Sequence, residues 1–198
     1  MNQPSIRTDL GIASHDRQRA AEIYDEAFGA KLGIAIHNPE HRLALLRNGM
    51  RISSAIVALE GEYLVGLAGF CTKEHSFTGG ISYRSILKEV GFFKGQKAAF
   101  VLGLFERKAQ EHELLMDGIA VSEDYRGKGV GTALFKALIE YAKNNHYQRI
   151  RLDVIDTNPD ARRLYERLGF SAERTNTFEV LRPLLGFGAA TTMVYELE

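Results

Sequence analysis

The chain is short of the features that would place it in several large functional classes. Its 198 residues include one cysteine, Cys71, which excludes an internal disulfide and any multi-cysteine metal site and suits a reducing compartment. Lys+Arg and Asp+Glu stand at 25 each, so no global charge favours nucleic acid or an anionic membrane as partner. No apolar run reaches membrane-spanning length, and the N-terminal stretch lacks the apolar centre of a signal peptide. Neither a repeat nor a low-complexity tract is present. His37 and His41 are four apart, but Pro39 lies between them and no third ligand is near, so they read as exposed histidines rather than a metal site. These absences predict a soluble, cytoplasmic protein that folds as one domain over residues 1–198 and holds no metal.

Two common phosphate motifs are missing as well. A P-loop needs Gly-Lys-Ser/Thr, which does not occur, and the Rossmann pattern needs a glycine where this chain has Thr132. What is present, over residues 123–143, is EDYRGKGVGTALFKALIEYAK. A polar turn with Gly127, Gly129 and Gly131 leads into a periodic helix whose Leu134, Phe135, Leu138, Ile139 and Ala142 share one face. Residues 114–121 read as a strand entering that turn. A strand, a glycine-rich turn and a helix start together make an anion site, because the first helical N–H groups lack partners and the helix dipole favours negative charge. Glycine lets phosphate oxygens approach the backbone, and Arg126 supplies a guanidinium suited to phosphate.

Earlier in the chain, residues 6–13 suggest a first strand, and Asp16 can cap a helix over 17–28 that Gly29 stops. Asn38-Pro39 opens a second helix ending near Gly49. Residues 51–59 and 63–70 form a hairpin around Glu60-Gly61-Glu62. Between 72 and 110 a polar loop precedes two helical stretches: a short one carrying Tyr83, Ile86, Leu87 and Val90, and one over 96–109 with an apolar centre at 98–105. The second is too short to span a bilayer, and Phe92, Phe93, Phe100, Val101, Leu102, Leu104 and Phe105 are too apolar to remain in water.

Downstream, residues 149–155 are rich in β-formers. They precede Thr157-Asn158-Pro159, a helix with Ala161, Leu164, Tyr165 and Leu168 on one face, and a stop at Gly169-Phe170. On its own, Tyr165 reads as a core aromatic. Residues 172–178 and 191–197 would be the last strands.

Arg126-x-x-Gly129-x-Gly131 after a strand resembles the acyl-CoA pyrophosphate loop of the GCN5-related N-acetyltransferases (GNAT). The second block, Asn158 then Ala161, Leu164-Tyr165 and Gly169-Phe170, resembles that family's second signature. The resemblance covers about residues 114–170. It implies an α/β (α+β) fold: a mixed, mostly antiparallel sheet of about seven strands with helices on both faces, here with a helical insertion at 72–110. Two neighbouring parallel strands, 114–121 and 149–155, would splay apart to admit acetyl-CoA. The residues matching Arg126, Gly127, Gly129, Val130, Gly131 and Thr132 would hold the pyrophosphate. Ile119 and Val121 would offer backbone groups to the pantetheine and acyl carbonyl, Asn158 would bond the cofactor arm, and Tyr165 would meet its sulfur.

The implied reaction is direct acetyl transfer to a primary amine, on a small molecule or a protein. An alkylammonium of pKa ~10 must first lose a proton, and general-base help is worth on the order of 10²- to 10⁴-fold. A backbone N–H near Val121 could supply roughly 3 kcal/mol to the oxyanion. Glu113 and Asp117, at i and i+4 on the strand, fall on one face and are the candidate bases; His112 faces the other way. Either carboxylate could instead be a plain ion pair. The other readings are a non-catalytic acyl-CoA-binding or regulatory module and, further off, a nucleotide-binding protein. The insertion either covers the acceptor side of the cleft or serves as a homodimer contact or extra core.

Overall fold

The computed structural model describes residues 5–103 and 107–197. Seven strands form the sheet: β1 (Ile6–Leu10), β2 (Ala55–Glu60), β3 (Tyr63–Cys71), β4 (Glu113–Val121), β5 (Arg149–Ile155), β6 (Ser171–Thr177) and β7 (Ala189–Glu196). They lie in the order β1-β2-β3-β4-β5-β7-β6, antiparallel throughout except for the parallel pair β4 and β5. This is the mixed, mostly antiparallel sheet expected. Among the described residues no helix is long and apolar enough to cross a membrane.

Alternation along β2 and β3 splits their side chains between two helical layers. On one face, Ala20, Ala21, Ile23 and Tyr24 of α1 (Arg17–Gly33) and Leu46 of α2 (Pro39–Gly49) pack over Val57, Leu64 and Leu67. On the other, Leu134, Phe135, Leu138 and Ala142 of α5 (Val130–Asn144) pack over Ile56, Ala58, Val65, Ala68, Leu114 and Met116. That buried set on α5 is the apolar stripe read from the sequence, with Ile139 partly buried at its margin. α6 (Pro159–Arg167) adds Ala161 and Tyr165 to the same side, with Leu168 at its C-cap.

Helix ends differ from the pattern in two places. α1 runs through Gly29 to Gly33. A helical glycine costs about 1 kcal/mol, but here it leaves room for Asp25, whose Oδ1 would lie 3.1 Å from a Cβ at position 29. Asp25 ties α1 to α2 through Arg42 Nε at 2.7 Å. Asp16 occupies the N-cap of α1, yet its side chain makes no capping bond. Asn38 does cap α2, its Oδ1 accepting from Glu40 N–H at 2.9 Å.

The insertion is a helical pair, α3 (Tyr83–Val90) and α4 (Phe92–Gly103). Gly91, at φ 88°, lets α4 begin at Phe92 rather than near Gln96. The expected extension to 109 does not form: residues 107–110 are not helical, and 104–106, with Leu104 and Phe105, lie outside the described residues. Ile86 and Ala98 pack against Ile36 and Leu45, and Glu89 Oε1 meets His41 Nδ1 at 3.0 Å. Through Ile86 and Ala98 the pair therefore packs on α2. Phe92, Phe93 and Phe100 stay exposed. α7 (Arg182–Leu185) lies between β6 and β7.

The insertion is seated by a backbone contact. Gly80 N–H donates to Gly49 O at 3.0 Å, and a Cβ at position 80 would fall 2.4 Å from that oxygen. Gly80→Ala is expected to destabilise the chain by about 1–3 kcal/mol, the usual cost of overpacking. At roughly 2–4 °C per kcal/mol for a chain of this size, calorimetry should show a fall of several degrees in Tm.

Candidate active site

β4 and β5 pair through three residues only, Glu113↔Arg149, Leu114↔Ile150 and Leu115↔Arg151. Beyond them each strand stays paired on its far side, β4 with β3 and β5 with β7, while the two near edges no longer meet. An opening results between the C-terminal halves of β4 and β5. Opposite Gly69 and Phe70 of β3, β4 carries an extra residue: Gly69 pairs with Gly118 and Phe70 with Met116, leaving Asp117 as a bulge. A bulge shifts the alternation by one. Leu114 and Met116 before it, and Ile119 and Val121 after it, all turn to the α5 side.

On that side lies the glycine-rich turn. Gly127 and Gly129 have φ of 73° and 84°, the left-handed region glycine tolerates, and a Cβ on either would meet nothing within 4 Å. Gly129 caps α5, and the first helical bond is donated by Ala133 N–H to Gly129 O at 3.0 Å. The N–H groups of Val130, Gly131 and Thr132 thus precede the helical ladder and point outward. Gly131 faces β4, its Cβ position 4.0 Å from Ile119 Cγ2. Arg126 turns back: its Nε donates to Val121 O at 3.1 Å and its Nη2 lies 3.7 Å from Glu26. Asn158 uses Oδ1 to cap α6, accepting from Ala161 N–H at 3.1 Å. Tyr165 packs edge-on to Phe170, with ring centres 5.7 Å apart. Burial pushes its hydroxyl up to about 12, with Arg107 opposing the rise, so it remains a proton donor at neutral pH.

The α1 side of the opening is polar. Asp117 Oδ2 accepts from Tyr24 OH at 3.1 Å. Burial, reinforced by the charge of Asp117, holds the Tyr24 hydroxyl well above its ordinary value, so it too stays a donor. Asp117 Oδ1 lies 3.8 Å from Nη2 of Arg107, whose Nη1 donates to Asp153 Oδ2 at 2.9 Å. Asp153 Oδ1 accepts from Thr192 Oγ1 at 2.6 Å. Despite the cost of its burial, the Asp153 carboxyl sits below the usual range because Thr192 and Arg107 favour the charged form. Lys31, in the last turn of α1, lies in the field of the same groups. Burial lowers its ammonium to about 8, Arg107 adding to the fall and the two carboxylates opposing it.

Of the two carboxylates expected on one face, both point to the α1 side, but into different surroundings. Glu113 is fully buried at the paired end of the strands. Its Oε2 meets Arg149 Nη2 at 2.9 Å, and its Oε1 meets Arg151 Nη1 at 3.1 Å and accepts from Gln110 N–H at 3.1 Å. The parallel register delivers both arginines, so Glu113 is a neutralised ion-pair centre, whereas Asp117 stands at the opening. His112 lies before β4 with φ 58°, its carbonyl accepting from Gln148 N–H at 2.8 Å. Cys71 is not remote from the site, being paired across the sheet with Leu115. It is buried, and burial raises its thiol, which suppresses thiolate chemistry.

Arg107, Asp153, Lys31 and Tyr24 are the site residues that motif reading missed. Asp153 continues the polar alternation Arg149, Arg151, Asp153 along β5, and Lys31 is seven residues beyond Tyr24 on the same helical stripe. Nothing local marks Arg107. The Lys31 shift carries a pH signature. The unfolded chain keeps its proton to the ordinary value of 10.5, while the folded chain loses it near 8. Stability therefore gains from Lys31 as pH rises through this window and bears the full penalty below it. Lys31→Met removes the penalty, so its stability advantage over the parent, measured by urea midpoints, should shrink between pH 8 and 10.5. An advantage constant with pH would contradict the shift.

Comparison with known proteins agrees with this geometry. Residues 17–170 match the Acetyltransferase (GNAT) family. The spermine/spermidine N(1)-acetyltransferase of Bacillus subtilis is 35% identical over 89 residues, 42% of this chain and 59% of the relative. An uncharacterised N-acetyltransferase of the same organism, YobR, is 39% identical over 67 residues, 34% of this chain and 27% of the relative. These matches span less than two thirds of the relatives' length. Among solved structures, an N-acetyltransferase from Staphylococcus aureus superimposes with a TM-score of 0.68 at 18% identity, covering 96% of this chain and 100% of its own. The structure of yncA from Salmonella typhimurium with its cofactor acetyl-CoA gives a TM-score of 0.59 at 18% identity, covering 98% of this chain and 95% of its own. With the family match extending over most of its length and the fold shared along nearly all of it, the chain belongs to the GNAT acetyltransferase family.

Proposed function

We propose that this chain is an acetyl-CoA-dependent N-acetyltransferase that moves the acetyl group directly to a primary amine, working as a single domain of residues 1–198 in the cytoplasm. The observation that carries the reading is the opening beyond Leu115, with a glycine cradle on one side and an exposed-edge carboxylate on the other. The cradle suits the pyrophosphate, since no Cβ at Gly127 or Gly129 would obstruct it and the N–H groups of Val130, Gly131 and Thr132 point outward. The unpaired edge of β4 at Ile119 and Val121 can pair with the amide-bearing pantetheine arm. Asn158 has Nδ2 left for that arm once Oδ1 has capped α6. Arg126 contributes its charge from the end of β4. Acetyl-CoA supplies an acetyl group already activated as a thioester.

The chain's own groups then divide the proton transfers. Asp117, directly or through water, takes the proton of the incoming ammonium, and Tyr24 holds the carboxylate oriented. Tyr165, kept protonated by burial, donates to the departing thiolate. Cys71 is too buried to carry an acyl group, which favours direct transfer. Glu113 we assign to holding Arg149 and Arg151, not to proton transfer. The acetyltransferase from Bacillus subtilis named for spermine and spermidine supports an amine acceptor.

Incubation with acetyl-CoA and a panel of primary amines, spermidine included, tests this reading. Free CoA thiol and N-acetylated product should appear in equal amounts. Asp117→Asn should lower kcat/KM by about 10²-fold, the lower end of general-base contributions. Glu113→Gln should instead lower stability, by about 1–3 kcal/mol, through the lost charge-assisted hydrogen bonds to the half-buried Arg149 and Arg151, while its folded fraction keeps near-normal kcat. Acetyl-CoA binding without thiol release from any amine would make the chain a non-catalytic acyl-CoA-binding module.

A further inference from the structure

The inserted helical pair packs on α2, and the segment leaving it reaches the opening. After α4 the chain crosses the β4–β5 seam on the α1 side. Arg151 Nη2 donates to Lys108 O at 3.0 Å, Ala109 packs with Cys71 and Leu115, and Gln110 N–H donates to Glu113. Arg107 leads this crossing, and its guanidinium lies where the two strands have just parted. The last strand pair is Leu115↔Arg151, and Asp117 and Asp153 are each two residues further on. Arg107 contacts both, at 3.8 Å and 2.9 Å. Each carboxylate has its other oxygen fixed from a different element, Asp117 by Tyr24 of α1 and Asp153 by Thr192 of β7.

We propose that Arg107 is a positioning residue for acyl transfer: it spans the opening, ties Asp117 of β4 to Asp153 of β5, and so holds the Asp117 carboxylate in place and aimed at the acceptor. Its effect on catalysis rests on the reading of Asp117 as the base. The route is electrostatic as well as steric. The groups that face Asp117 are Tyr24 and Lys31 from α1, Cys71 from β3, and Arg107 from the insertion's exit. Lys31 sits near its own titration point in the neutral to basic range, Tyr24 and Cys71 carry no positive charge, and Asp153 beyond Arg107 is itself anionic. Arg107 is therefore the cation in this set whose charge does not vary with pH over the working range. The guanidinium's two donor edges also explain how one side chain serves two carboxylates on separate strands, which a lysine's point charge does less well.

This gives the insertion a function that its position outside α2 does not suggest. It need not fold over the acceptor as a lid, because its exit segment carries the residue that positions Asp117. Any shift of α3 and α4 that moved residue 107 would be felt at Asp117.

Full-length Arg107→Met and Arg107→Lys are compared with the parent in two ways. The first needs no turnover. Aspartate is labelled with carbon-13 at the carboxyl, the Asp117 resonance is assigned with Asp117→Asn, and its titration is followed. Loss of a cation within about 4–6 Å lets a carboxyl protonate more readily, so the midpoint should rise in Arg107→Met and rise less in Arg107→Lys. The second is a double-mutant cycle in kcat/KM near neutral pH. Arg107→Met should cost about tenfold or more in the parent but less than about threefold on an Asp117→Asn background, because the two act as one unit. Arg107→Lys should recover part of the loss. If Arg107→Met fails to fold, Arg107→Lys alone decides the titration. An unmoved Asp117 midpoint, or equal losses on both backgrounds, overturns the role of Arg107. A midpoint that moves while the acidic limb of kcat/KM stays in place overturns the reading of Asp117 as base, and with it the catalytic half of the proposal.

Discussion

The structure depends on a parallel strand pair that is allowed to fail after three residues. In a continuous sheet every backbone donor and acceptor of β4 would be consumed on both sides, and nothing could enter between the strands. Here pairing stops at Leu115↔Arg151, and the bulge at Asp117 bends the strand just past that point. The opening is kept because both strands remain anchored elsewhere: β4 along β3, and β5 over its whole length along β7. The paired end is closed by Glu113 with Arg149 and Arg151. A carboxylate with no exposure, held by two half-buried arginines, is an expensive way to join strands, and replacing a buried ion pair by apolar residues is often neutral or stabilising. Its geometric value is that it fixes where the strands begin to part.

Everything with chemical potential lies along that opening, divided by the sheet into two sides. The α5 side offers backbone N–H groups at a helix start, glycines without obstruction, and a protonated phenol. The α1 side offers carboxylates held by hydrogen bonds and a guanidinium, with a lysine whose charge is lost near pH 8. An anionic, amide-bearing molecule suits the first side and an amine the second, and the two would meet at the bulge. The third contributor is the insertion. Its helices bury a small apolar cluster on α2, while its exit segment runs over the paired end and brings Arg107 into the opening.

How much of this was legible in the sequence follows from how local each feature is. The strand, glycine turn and α5 were readable because their signals lie within about thirty consecutive residues, and the stripe Leu134, Phe135, Leu138 and Ala142 is buried as its spacing requires. The start of α6 at Asn158-Pro159 was readable for the same reason. Gly29 misled as a helix stop because its reason for being there, room for Asp25 beside Arg42, is tertiary. Alternation correctly put Glu113 and Asp117 on one face, but alternation does not report what lies across the sheet. Arg149 and Arg151, 36 and 38 positions along from Glu113, separate the two carboxylates into a buried pair and a residue at the opening. Arg107 was least legible, since its partners are ten and 46 residues away and an apolar run before it resembled a longer helix.

The proposed place of acetyl-CoA is the opening between β4 and β5, with its pyrophosphate at the turn that starts α5. Amide hydrogen exchange on the full chain, with and without acetyl-CoA, tests it most directly. Exchange should slow in residues 116–121 of β4 and in residues 127–132, with β1 and β2 unchanged. Saturating acetyl-CoA that leaves both stretches exchanging as before, or that protects only the outer surface of α3 and α4, would contradict it.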